Sequence, residues 1–89
     1  MDKLILFTSS RCKGCTQARQ LLRKLNASYE EFNQAYPNEF LVPALTYEIS
    51  VFPTLVFVYD DDGVTCEYEK IEGFAAKRIC QKVSEWQKV

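Results

Sequence analysis

Cys12 and Cys15, separated by Lys13 and Gly14, are the residues of this chain whose type and spacing could do chemistry. Thiols at this spacing lie one helical turn apart, close enough to close a disulfide and to exchange it with another one. The run before them, Leu4 to Thr8, has the length and composition of a buried strand, and Ser9 and Ser10 are candidates for the turn and the helix N-cap. From Cys15 the period changes. Cys15, Ala18, Leu22 and Leu25 recur every three or four residues, with Arg11, Lys13, Arg19, Arg23 and Lys24 largely on other faces. This pattern is an amphipathic helix with Cys12 at its N-terminus and Cys15 on its inner stripe. A thiol reacts as its thiolate, and the unpaired N–H groups and positive dipole end of a helix N-terminus stabilise that charge. Cys12 is therefore the expected nucleophile, with Arg11 and Lys13 adding positive potential, and Cys15 is placed to resolve a mixed disulfide on Cys12.

The rest of the chain must position this pair. With 89 residues and 47% hydrophobic content, residues 1–89 are expected to form one domain. The first ten residues read as neither a signal peptide nor a membrane span, which makes a cytoplasmic setting the simplest expectation. In a reducing compartment a CxxC is catalytic or metal-binding more often than structural. The net charge of −1 is unevenly spread. Residues 1–25 hold six basic and one acidic side chain, residues 26–72 one basic and ten acidic, and residues 73–89 four basic and one acidic. The basic segment coincides with the dithiol and suits an acidic partner surface. Its basic residues fall mainly on one helix without an aromatic stacking set, so nucleic-acid binding is not expected.

After a turn at Asn26 and Ala27, Ser28 to Gln34 reads as a weak second strand, with Tyr29 and Phe32 on opposite faces. Residues 35–38 form a loop. Glu39 to Ile49 has helical spacing, with apolar residues at 41, 42, 45 and 49; Pro43 either kinks this helix or lies in its first regular turn. Thr54 to Tyr59 is a strand buried on both faces, preceded by Val51, Phe52 and Pro53. Asp60 to Gly63 makes a hairpin turn, Val64 to Ile71 returns as an antiparallel edge strand, and Glu72 and Gly73 break the chain. Phe74 to Trp86 closes it as a helix with Ala76, Ile79, Val83 and Trp86 inward. Cys66 and Cys80 fall within the last strand and last helix, where cysteine usually behaves as a small core hydrophobe. A four-thiolate zinc site with Cys12 and Cys15 is disfavoured, because this second pair lacks close spacing.

The order is β-α-β-α-β-β-α, an α/β chain with a four-stranded mixed sheet flanked by three helices. With CxxC at the first strand-to-helix junction, Phe52-Pro53-Thr54 opening the third strand and Gly73 after the last, it resembles the minimal thioredoxin fold of glutaredoxins and small thioredoxin-like proteins. The resemblance implies that Pro53 is cis and lies against the dithiol, and that the Phe52 backbone pairs with an extended substrate strand. It also makes Arg11, Lys13, Phe52, Pro53 and Gly73 substrate-binding candidates. The chain departs from the family at several positions. Arg11 stands where thioredoxins have Trp, and Leu6 where they have a buried Asp thought to take the proton of the inner thiol, which leaves Glu30 and Glu31 as candidates for that task. Glutaredoxins follow the last strand with a Gly pair and an Asp that hold glutathione; here Glu72-Gly73-Phe74-Ala75 lacks that Asp and adds a repelling carboxylate.

The function expected on these grounds is a dithiol–disulfide oxidoreductase, a monomer that reduces protein disulfides. It needs no bound cofactor beyond the redox-active disulfide itself, and its electrons come from NADPH through a thioredoxin-reductase-like flavoprotein. One alternative is a glutaredoxin-like enzyme fed by glutathione or a donor to ribonucleotide reductase. Another is a thioredoxin-fold module that carries a metal or acts as an adaptor.

Overall fold

The computed structural model describes residues 3–61 and 66–87. Its elements are β1 (Lys3–Thr8), α1 (Lys13–Lys24), β2 (Glu30–Asn33), α2 (Pro37–Thr46), β3 (Thr54–Asp61), β4 (Cys66–Glu72) and α3 (Ala76–Gln87). The sheet order is β2-β1-β3-β4, with β1 parallel to β2 and antiparallel to β3, and β3 antiparallel to β4. This is the minimal thioredoxin fold, in the order expected from sequence. The proposed hairpin turn lies largely outside the described residues, as does the Cys66 side chain. None of the described helices is long and apolar enough to cross a membrane.

The two central strands alternate their side chains between two cores. Leu4 and Leu6 of β1 with Leu55 and Phe57 of β3 pack under α1 and α3, against Ala18, Leu22, Ile79 and Val83. Ile5 and Phe7 with Val56 and Val58 pack under α2, against Phe40, Ala44 and Tyr47. Both faces of β1 and β3 are thus buried, which explains why these strands read as continuous apolar runs rather than as alternating ones. Tyr29 and Phe32 do go to opposite sides, Tyr29 to the first core and Phe32 to the second.

Several element boundaries and faces differ from the sequence-based expectation. The N-cap of α1 is Cys12, whereas Ser9 and Ser10 lie in the connecting turn. Arg11, at φ 55°, turns the chain through the left-handed region and delays the helix by two residues. Helix α2 opens on Pro37 and runs through Pro43, so the proline available for the first turn is Pro37. Its inward residues are Phe40, Ala44 and Tyr47, while Leu41, Val42 and Leu45 are 55%, 72% and 78% exposed. The helix starts two residues earlier than expected and docks through its aromatic positions, with Phe40 meeting Phe7 edge-on at 6.1 Å. In α3, Ile79 and Val83 are buried and Trp86 is half-buried, but Ala76 is exposed at the first turn and Ala75 packs on the core instead.

Helices α1 and α2 end in the same way. The N–H of Asn26 bonds the carbonyl of Arg23 and that of Ala27 the carbonyl of Leu22; Glu48 and Ile49 repeat this on Leu45 and Ala44. Both are Schellman motifs, in which the turning residue adopts the left-handed conformation, here Asn26 and Glu48, each at φ 55°. Asparagine tolerates that region, but glutamate does not favour it.

Helix α1 is tied to the sheet edge by one partly buried polar cluster. Arg19 on α1 donates from Nε and Nη2 to the Glu31 carboxylate on β2, at 2.8–3.0 Å. The buried Thr8 hydroxyl also donates to Glu31, at 2.9 Å, and accepts from Asn33 Nδ2. Burial pushes the Glu31 carboxyl up, but the hydrogen bonds from Arg19 and Thr8 and the charge of Arg19 outweigh it and hold the group below its ordinary value.

Two stability measurements follow from these contacts. Glu48→Gly should raise the free energy of unfolding by about 0.5–1 kcal/mol, because glycine carries no penalty at positive φ; a urea midpoint that stays put or falls would refute the strain. Glu31→Gln keeps the shape of the cluster but removes the charge, and should cost about 1 kcal/mol at pH 7. A carboxyl with a depressed folded pKa stabilises above its unfolded pKa, near ~4.3, and loses that contribution as pH falls through the folded value. The gap between wild type and Glu31→Gln should therefore close in acid, and a gap that persists at pH 2 would count against a charge effect.

Candidate functional site

The antiparallel pairing of Phe7 with Thr54 brings the end of β1 and the start of β3 to the same end of the sheet. The segment leaving β1 carries the CxxC, and the segment entering β3 carries Phe52 and Pro53. Cys12 and Cys15 form a disulfide with Cα atoms 5.2 Å apart. Cys12 is half-exposed and Cys15 fully buried, the inward-facing position that the helical stripe required. As N-cap, Cys12 accepts the Cys15 backbone N–H on its Sγ at 3.1 Å, while its carbonyl accepts from Thr16 N–H. That Cys15 N–H is one of the orphan donors of the helix N-terminus. When the disulfide is reduced, the same donor is positioned for a Cys12 thiolate. No acidic residue lies in the first turn of α1 to oppose this.

Around the pair, Arg11 and Lys13 are both exposed, one on either side of Cys12. The Phe52–Pro53 bond is cis and Pro53 is buried. Its ring lies against the CxxC: a Cβ added at Gly14 would come within 3.0 Å of Pro53 Cδ and 3.4 Å of Phe74 Cβ. Gly14 is therefore closely packed, and a side chain there would ask the proline ring to give by a few tenths of an ångström. The proline loop is pinned from two directions. Thr54 Oγ1 donates to the Val51 carbonyl at 2.7 Å, and Gly73 N–H donates to the Pro53 carbonyl at 2.7 Å. Gly73 itself has φ 80° and open space about its Cα, so its role is conformational.

The structure thus brings Arg11, Cys12, Lys13, Cys15, Pro53 and Gly73 to one end of the sheet. Phe52 is different in part: its ring packs on Phe40 at 5.8 Å and joins the α2 core, which leaves its backbone as the portion with a possible role at the site. Glu31, a candidate proton acceptor for Cys15, has its oxygens committed to Arg19 and Thr8, and its lowered pKa makes it a weak base. Glu30 is exposed on the edge strand. Leu6 is fully buried in the core under α1. Cys80 is a half-buried free thiol on α3. Phe74, read from sequence only as a core aromatic, proves to border the CxxC through Gly14; nothing in the local pattern separated it from the other aromatics.

Known proteins resemble this chain in two ways. A family model described as Glutaredoxin matches residues 4–34, the segment from β1 through β2. Among solved structures, the thioredoxin of Trichomonas vaginalis superposes with a TM-score of 0.70 at 19% identity, covering 93% of this chain and 77% of its own. Mitochondrial thioredoxin 3 of Saccharomyces cerevisiae gives 0.68 at 21%, covering 92% and 76%. The thioredoxin-like protein BC3987 gives 0.64 at 26%, covering 89% of this chain and 97% of that one. No curated protein is similar enough in sequence to match the chain. The chain is therefore a thioredoxin-fold protein with a glutaredoxin-like N-terminal segment, and its Cys12–Cys15 pair supports a thioredoxin-like redox function.

Proposed function

We propose that this protein is a dithiol–disulfide oxidoreductase that reduces protein disulfides. The observation that carries the reading is the position of Cys12, at the N-cap of α1 with the Cys15 N–H directed at its sulfur. The Cys12 thiolate attacks one sulfur of a partner disulfide, forming a mixed disulfide and expelling the partner's other sulfur as a thiolate. Cys15 then gives its thiol proton to that leaving thiolate or to water and attacks the Cys12 sulfur. This closes Cys12–Cys15 and releases the partner fully reduced, two electrons having passed from the dithiol to the partner. The Phe52 backbone offers strand-type hydrogen bonds to the partner segment, and Pro53 and Gly73 hold that loop in place. Arg11 and Lys13 supply positive potential beside the attacking sulfur.

Re-reduction draws on NADPH through a thioredoxin-reductase-like flavoprotein, and the setting is a reducing cytoplasm in which the protein works as a monomer. A second reading, a glutathione-fed glutaredoxin that serves ribonucleotide reductase, is favoured by the family match over residues 4–34. Against it stands the exposed Glu72 beside Gly73, which opposes the carboxylates of glutathione.

Cys12→Ser should abolish disulfide exchange. Cys15→Ser should retain the first step and accumulate a partner joined to Cys12, releasable by dithiothreitol. Trapping by Cys12→Ser as good as that by Cys15→Ser would reverse the assigned roles. Insulin reduction by the wild type, supplied either with NADPH and thioredoxin reductase or with NADPH, glutathione and glutathione reductase, decides between the two readings. Turnover with the second supply alone would favour glutaredoxin.

A further inference from the structure

A groove of about 520 Å³ runs along the outer face of α1, lined by Gln17, Gln20, Leu21, Arg23, Lys24 and Phe74. It is not separate from the dithiol. Phe74, which closes one side, is also the residue whose Cβ lies 3.4 Å from the position a Gly14 side chain would occupy. On α1 the lining continues the row that begins beside the reactive sulfur: Lys13, Gln17, Leu21 and Lys24 follow one another at helical spacing. From Lys13 to Lys24 this row is roughly 16 Å long, the reach of about five residues of extended chain.

The groove has a definite chemistry. Leu21 and Phe74 are half-buried and give it an apolar floor. Gln17 and Gln20 offer exposed amides that can pair with a peptide backbone. Arg23 and Lys24 line it and are exposed, Lys13 lies outside it one turn before Gln17, and α1 contains no acidic residue. The ion pairs among the described residues are Arg19–Glu31 and Lys82–Glu69, so neither neutralises these three cations. The next basic residue, Lys77, is exposed on the first turn of α3, and Glu72 is exposed two residues before Phe74. A hydrophobic floor beside two unpaired cations suits an anionic segment with an apolar anchor, and a basic or purely apolar segment much less.

We infer that this groove docks an acidic segment of the disulfide-bearing partner, in extended form, with one apolar side chain seated between Leu21 and Phe74 and its carboxylates on Arg23 and Lys24. The inference rests on the oxidoreductase reading for the identity of the partner but not for the binding itself. Docking here places the partner's chain beside Gly14, next to the sulfur it must meet, and so raises the local concentration of its disulfide.

The test uses the full chain and two synthetic probes. The first is a fluorescent, cysteine-free peptide of seven residues, alternating glutamate and aspartate around a central phenylalanine. Its anisotropy should report saturable binding that weakens about tenfold when salt rises from 0.05 to 0.5 M. The Arg23→Glu/Lys24→Glu variant should weaken it by a similar factor, as should Gln20→Glu, which places a carboxylate in the groove without altering shape or a helix end. The second probe is the same peptide extended by a cystine loop. The ratio of its kcat/KM to that for the neutral 2-hydroxyethyl disulfide should fall about tenfold in both variants, through KM. Equal binding of a lysine-for-carboxylate peptide or of one with alanine for the phenylalanine, absence of binding, or an unchanged ratio in folded variants would each overturn the proposal. If no version reduces either disulfide, the oxidoreductase reading fails, and the anisotropy arm still decides the groove.

Discussion

The pairing of β1 with β3 is the constraint on which the rest of the molecule depends. Both strands are buried on both faces, so each side chain serves one of two cores and neither strand can slip by one residue without exchanging its cores. Large side chains such as Phe7, Phe57, Leu6 and Leu55 are fully or almost fully buried there, each contributing ~1.5–3 kcal/mol relative to exposure. That register, with Phe7 opposite Thr54, brings two segments some forty residues apart in sequence to the same end of the sheet. The dithiol leaves one strand there and the proline loop enters the other. They meet at Gly14, where the Pro53 ring packs closely.

The placement of charge on α1 follows from the same architecture. Helix α1 crosses beside the edge strand β2, and Arg19 is spent on the Glu31 carboxylate that faces it. The remaining cations, Lys13, Arg23 and Lys24, stay exposed. Arg23 and Lys24 also oppose the negative dipole end of the helix, as Cys12 and its donor N–H use the positive end. One helix thus favours a thiolate at its start and presents positive charge along its outer face, with no acidic residue of its own to compete.

Thiol chemistry on this scaffold depends on the contrast between two sulfurs. Cys12 is reachable and has a backbone donor, whereas Cys15 is sealed beneath the helix. The inner thiol has no carboxylate of the thioredoxin kind at Leu6, and Glu31 is engaged elsewhere. In the proposed mechanism, the proton of the inner thiol would then pass to the departing partner sulfur or to solvent, coupling the second step to the state of the mixed disulfide.

The amino-acid sequence by itself determined the element order, the burial of β1 and the both-faces burial of β3, and the placement of Cys12 outward and Cys15 inward. These follow from local periodicity: a period-3.6 stripe states which residues of α1 face the core, and an uninterrupted apolar run states that a strand has two neighbours. Only the tertiary structure decided what depends on partners distant in sequence. The apolar residues at 41, 42, 45 and 49 gave α2 its helical spacing, yet of these only Ile49 packs on the core, because docking turned Phe40, Ala44 and Tyr47 inward with both aromatic rings against Phe7. The cap of α1 fell on Cys12 rather than on Ser9 or Ser10, because Arg11 turns through positive φ between strand and helix, a conformation that arginine shows no sign of in sequence. Glu31, a proton-acceptor candidate from sequence, became instead the partner of an ion pair, since the packing of α1 against β2 set Arg19 opposite it. Phe74 acquired its place beside the CxxC in the same way, through the return of the chain at Gly73, which local pattern cannot encode.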